Sequence, residues 1–233
     1  MSADLRGVVV VLLPGTGSDE DYLERVFGGP LRAAGARPLT VRPDPGGLLT
    51  GYFRALDQAA EAGPIAVGGV SLGAAVAASW ALVHPQRTVA VLAALPPWTG
   101  AAGEAPGAVS ARHTAAELRR AGLAATTAAM RSSSPAWLAD ELARSWRRQW
   151  PALPDAMDEA AGYSAPTEAA LRGLGVPLAV VGALDDPIHP LATARQWAAA
   201  APHAALRTIT LGEFGADPAA LGAACLAALA DAG

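Results

Sequence analysis

The sequence contains no lysine: all 17 of its basic residues are arginine. That absence excludes a Schiff-base lysine, a pyridoxal-phosphate anchor and the G-x-x-x-x-G-K phosphate loop, so three cofactor-bearing classes of enzyme drop out. Cysteine is nearly absent as well, with Cys225 alone in a segment rich in Ala and Leu. A single thiol forms no internal disulfide, and no Cys/His spacing suits zinc. Cys225 itself reads as packing on the apolar face of a last helix. Charge is sparse, at 16% of residues with a net of −4, which leaves no basic surface for a phosphate backbone and argues against a nucleic-acid partner. The apolar run Val8 to Leu13 is too short to span a membrane, and it ends in Pro14-Gly15 rather than in a small-residue cleavage site. The expectation is a soluble cytoplasmic protein with no membrane span.

What is present is apolar: 52% of 233 residues are hydrophobic, enough for one large core in a chain too short for two ordinary domains. Short β-branched runs at 7–13, 38–41, 65–69, 89–94, 177–182 and 206–210 read as strands. Segments of helical spacing at 19–34, 49–62, 72–84, 191–201 and 218–230 alternate with them, bounded by Asp, Pro and Gly. This alternation predicts an α/β fold, a doubly wound, mostly parallel sheet of about six strands. Residues 96–175 break the rhythm, being longer than a crossover needs and lacking a convincing strand. They are predicted to form a helical cap inserted into a core made of 1–95 and 176–233. Within the cap, Leu138, Leu142, Trp146 and Trp150 recur at four-residue spacing. That stripe either docks the cap on the sheet or faces a substrate. Four of the six tryptophans (Trp98, Trp137, Trp146 and Trp150) fall in this stretch, where a lid over an apolar pocket would place them.

Gly69-Val70-Ser71-Leu72-Gly73 fits the pattern G-x-S-x-G. In a chain with 25 glycines the pattern alone is weak evidence, but its placement adds weight. It follows the strand-like run Ile65-Ala66-Val67 and opens a helical run at Gly73, the strand-turn-helix context of a nucleophile elbow. Such a turn forces unusual dihedrals on the serine and lifts its hydroxyl above the sheet edge, while the flanking glycines let backbones approach. A helix N-cap serine after a glycine turn is the plainer alternative.

With this elbow, the strand order, the cap position and a later acid loop, the chain resembles the α/β-hydrolase family over essentially its whole length. The resemblance implies an oxyanion hole built from the backbone amides of Leu72 and Thr16. Thr16 lies in Leu13-Pro14-Gly15-Thr16-Gly17-Ser18, where Pro14 replaces a common histidine; an ordinary Gly-rich turn is the alternative. The segment Leu184-Asp185-Asp186-Pro187-Ile188-His189-Pro190 is similar to the family's D-P-x-x-P loop and selects Asp186 as the acid. A different count selects Asp185, and either carboxylate could simply cap the next helix.

The histidine is where the chain departs from the family. After the last strand the family usually has Gly-His, and here Gly215-Ala216 stands in that place. Of the four histidines, His84 and His203 fall where solvent is expected. His189 in the acid loop and His113 in the cap reach Ser71 only by an arrangement unlike the usual triad, and Glu213 is a base only if burial raises its pKa. The candidate catalytic set is therefore Ser71, Asp186 and His189, with Thr16 and Leu72 at the oxyanion hole, no metal and no cofactor, and the identity of the base left open. The resemblance implies a serine hydrolase of the esterase or thioesterase type acting on a small apolar ester. Dehalogenase chemistry is disfavoured, since it wants a carboxylate at the elbow. The alternative is a non-hydrolytic or impaired member of the fold that binds a small apolar ligand, or that uses the oxyanion pocket for elimination, cyclisation or proton transfer. A missing base predicts weak or absent ester hydrolysis.

Overall fold

The six apolar runs form six strands, β1 (Val9–Leu13), β2 (Arg37–Thr40), β3 (Ile65–Val70), β4 (Thr88–Ala94), β5 (Leu178–Ala183) and β6 (Ala204–Ile209). In the computed structural model, which describes residues 3–232, they pair in the order β2-β1-β3-β4-β5-β6, all parallel. The continuous apolar character of the inner strands follows from burial on both faces. Val11 and Leu13 pack with Tyr52 and Leu56 of α3 (Leu48–Ala59) and with α4 (Leu72–Val83). Val10 and Leu12 turn to the other face, against Leu23, Phe27 and, from α11 (Ala219–Asp231), Leu221 and Leu229. Cys225 is buried in this second layer, and desolvation pushes its thiol far above the ordinary range.

The predicted first helix divides into α1 (Glu20–Leu23), a π-helical turn (Glu24–Gly28) and α2 (Gly29–Ala33). Pro30 lacks the N–H that an unbroken α-helix would need there. The chain lays β2 to one side of β1 and then returns to place β3 on the other. The loops leaving β1 and β3 therefore open a crevice at the C-terminal edge of the sheet, the usual place for a ligand in such folds.

Between β4 and β5 the described residues contain helices and no strand: α5 (Pro106–Ser133), α6 (Ala136–Gln149), α7 (Leu153–Ala161) and α8 (Glu168–Leu171). α5 breaks at Gly122, whose φ of 78° is one that glycine adopts without strain. Ala115, Leu118, Trp146, Leu153 and Met157 form a small core of their own within this insertion. The four-residue stripe stops at Trp146. Trp150 lies beyond the end of α6, extended because Pro151 follows it, and is 39% exposed. After β5 come α9 (Leu191–Ala200), β6 and α10 (Leu211–Ala216). Among the described residues no helix is long and apolar enough to cross a membrane.

Candidate active site

Ser71 joins β3 to α4 with φ 55° and ψ −117°, a left-handed conformation that is costly for a residue with a Cβ. Its amide donates to Ala94 O at 2.9 Å, so the strained residue is held between two strands. The glycines on either side are there for space. A Cβ on Gly69 would stand 2.1 Å from the Leu13 carbonyl oxygen, and one on Gly73 would stand 1.9 Å from it. The end of β1 thus presses directly on the elbow. Although Ser71 precedes a helix, its hydroxyl makes no capping hydrogen bond, unlike an N-cap serine.

The hydroxyl points instead at the loop after β5. Ser71 Oγ lies 2.9 Å from His189 Nε2, and His189 Nδ1 lies 2.7 Å from Asp186 Oδ2. With Nδ1–H donating to the carboxylate, Nε2 carries the lone pair that accepts the Ser71 O–H. The loop's geometry comes from Asp186 itself, because its Oδ1 accepts the amides of Ile188 (2.8 Å) and His189 (3.2 Å). That turn folds the imidazole back over the other carboxylate oxygen, with side-chain exposures of 16% for His189 and 7% for Asp186. Burial raises the Asp186 carboxyl, but the hydrogen bond and charge of His189 and the two amides outweigh it, and its pKa falls below the ordinary value.

Thr16 and Leu72 flank Ser71 from the ends of β1 and β3. Among the described residues neither amide donates to a protein acceptor. Gly15 lies against the elbow, its added Cβ standing 3.3 Å from Ser71 Cβ. The loop is fixed from below by the buried Tyr52, whose hydroxyl donates to Pro14 O at 3.1 Å. From the insertion side it is fixed by α6: Gln149 Nε2 donates to Ser18 O at 2.9 Å, and Arg144 grips Asp19. Local sequence pattern assigns Tyr52, Arg144 and Gln149 no part in holding this loop. Their partners are 38 or more residues away, so no local pattern marks them.

The remaining candidates are used elsewhere. Asp185 Oδ1 accepts the Leu211 amide at 2.7 Å and caps α10, which leaves Asp186 as the acid that meets the histidine. Glu213 forms a capping box with Thr210, and those hydrogen bonds lower its pKa, the opposite of what a base would require. His84 stacks on Trp80 at 4.7 Å, His203 is exposed, and His113 lines the cavity without a bond to Ser71. The Gly215-Ala216 pair, which stands where the family usually has Gly-His, lies at the end of α10. Ala216 is exposed at the end of α10, whereas Leu211 and Phe214 face the site. A side chain on Gly215 would strike the indole of Trp137, within 2.2 Å of Nε1.

Ser71 opens into a cavity of about 660 Å³ lined on one side by the sheet-edge loops and on the other by α5 and α6. Trp98, Met130, Leu138, Leu142 and Met157 make its walls apolar. The charged side chains on the wall are already paired: Arg120 Nε donates to Glu117 at 3.0 Å, and Glu141 accepts from Arg25 at 2.6 and 2.5 Å.

The fold is shared widely among solved structures. MenH from S. aureus superposes with a TM-score of 0.71 at 15% identity, covering 100% of this chain and 97% of that one. The enol-lactonase from Burkholderia xenovorans LB400 gives 0.63 at 18% identity, covering 88% and 83%. A thermophilic esterase from Thermogutta terrifontis gives 0.65 at 16% identity, covering 88% and 82%. No curated protein matches the sequence. Residues 2–218 match the family described as the alpha/beta hydrolase family, and with the elbow, the parallel sheet and the helical insertion in place, the chain belongs to that family.

Proposed function

We propose that this protein is a serine hydrolase that cleaves an ester of a neutral, apolar acid through an acyl intermediate on Ser71. The observation that carries the reading is the relay of 2.9 Å and 2.7 Å from Ser71 through His189 to Asp186. An ester carbonyl carbon placed over Ser71 Oγ accepts the oxygen lone pair as the hydroxyl proton passes to His189 Nε2. The carbonyl oxygen becomes an oxyanion facing the amides of Thr16 and Leu72. Collapse expels the alkoxide, which takes the proton from Nε2. Water then attacks the acyl carbon, gives its proton to Nε2 and releases the acid, and the proton returns to Ser71. Asp186 holds the ring in orientation and stabilises the imidazolium. Each oxyanion donor contributes about 10²–10³ in rate.

The apolar walls and the paired charges favour a neutral acyl group, since an anionic one would meet no free cation there. Residues 96–175 act as the cap over it. The family neighbours named as an esterase and an enol-lactonase are consistent with ester chemistry. The non-hydrolytic alternative drew its support from a missing base, and an imidazole within hydrogen-bond reach of Ser71 takes that support away.

The test is labelling by a fluorophosphonate, followed by intact mass and peptide mapping. Rapid single modification on Ser71 is expected, lost in Ser71→Ala and slowed strongly in His189→Ala. Labelling that is unaffected by both substitutions would sink the assignment.

A further inference from the structure

We propose that Arg144, on α6 of the cap, is a positioning residue for the oxyanion loop: its grip on Asp19 holds the Thr16 amide where it faces the substrate oxygen. The proposal rests on the reading of Ser71 as nucleophile and of Thr16 as an oxyanion donor.

Asp19 stands three residues after Thr16, and its side chain is 3% exposed. It caps α1 by accepting the Tyr22 amide at 3.1 Å, so its carboxylate is fixed relative to the core. Arg144 meets it with both prongs, Nη1 at 2.5 Å from Oδ2 and Nη2 at 2.9 Å from Oδ1. The planar fork fits a carboxylate in one orientation only. Arg148 is more distant, at 3.5 Å. A buried carboxylate needs a partner cation, and here that cation comes from the cap.

The two positions before Asp19 are also held by α6. Gln149 bonds the Ser18 carbonyl. Gly17, at φ 72°, lies so close to Trp146 that an added Cβ would stand 2.8 Å from Nε1, a buried donor with no partner among the described residues. On the far side of Thr16, Pro14 is held by Tyr52 and Gly15 O accepts from Ser18 N at 3.0 Å. Thr16 thus stands in a turn closed by that bond, between an end anchored on the core at Pro14 and an end anchored on the cap at Ser18 and Asp19. Seating the cap and forming the oxyanion hole become one event.

A separate contact joins the cap to the core away from both Arg144 and the loop from Pro14 to Asp19: Glu159 of α7 accepts the amides of Leu48 and Leu49 at the start of α3, at 2.9 and 3.1 Å. It separates loop positioning from simple cap docking. Steady-state kinetics on p-nitrophenyl butyrate, with inhibition by an alkyl trifluoromethyl ketone that forms an oxyanion on the serine, reads the difference. Arg144→Gln is expected to lower kcat by about tenfold or more with KM changed less than about twofold, and to weaken the ketone by the same factor. Asp19→Asn, which keeps the α1 cap, should match it, and the double variant should be no worse than either single one. Arg144→Lys should recover part of the loss, and it carries the test with Asp19→Asn if Arg144→Gln does not fold. Glu159→Gln should leave kcat and ketone affinity near wild type. An unchanged kcat in Arg144→Gln, a loss confined to KM, or an equal loss in Glu159→Gln would overturn the proposal. Turnover surviving in Ser71→Ala would instead overturn the nucleophile reading, whatever Arg144 does.

Discussion

Two loops leave the same edge of the sheet side by side, one after β5 and one after β6, and their side chains are put to different uses. The first carries a carboxylate and an imidazole within four residues, folded onto each other by hydrogen bonds to Asp186. The second, where the family usually keeps its histidine, coils into α10 and spends its polar groups on capping itself. Its inward side chain, Phe214, is buried and meets Trp137 of α6 edge-on at 5.3 Å. The comparison teaches that a base is defined by where its nitrogen stands relative to the serine, and that a neighbouring loop can supply it. The position after β6 is instead a packing surface for Trp137 of α6.

The largest effect expected from breaking this comparison is on the first loop. His189→Ala should reduce kcat/KM for p-nitrophenyl esters by about 10⁴-fold, and Asp186→Asn by about 10³–10⁴-fold, through loss of ring orientation. Initial rates at saturating and limiting ester check both. The adjacent Asp185→Asn should leave kcat within about twofold, because that carboxylate caps α10 instead.

On the second loop the expected effect is on stability. Phe214→Ala removes a side chain that is 2% exposed and should cost about 3–5 kcal/mol in urea denaturation, with KM rising as the cavity floor is lost. A smaller, pH-dependent effect sharpens the contrast. The folded Asp186 carboxyl titrates below its ordinary 3.8, so its contribution to stability is present above that value and is lost as pH falls through the lower folded one. Urea midpoints of wild type and Asp186→Asn should therefore differ at neutral pH, begin to converge as pH falls below the ordinary value and meet only below the folded one. The smallest effect is expected from Ala216→His, which puts an imidazole on an exposed helix end. Ester hydrolysis should stay at the wild-type rate, and stability should move by less than about 0.5 kcal/mol.

The strands and the elbow were legible because their signals are local. A buried parallel strand writes a continuous apolar run, and the glycines at 69 and 73 mark where the Leu13 carbonyl must approach. His189 was legible only as one of several candidates. Its reach depends on a turn whose hydrogen bonds form within the loop, and the spacing Asp186-x-x-His189 between Pro187 and Pro190 was the available sign of that turn. The family's usual order drew attention to Ala216 instead. The pairing of Arg144 with Asp19 was invisible for a different reason, since an ion pair spanning 125 residues leaves no trace in either segment read alone.

Placing acid and base on one short turn also has a dynamic side. When two such groups sit on separate loops, thermal motion of either loop disturbs both hydrogen bonds of the relay. Here the turn moves as a unit, so the contact between Asp186 and His189 travels with it almost unchanged. The expected consequence is that warming loosens the contact between His189 and Ser71 before it parts the Asp186 carboxylate from the imidazole.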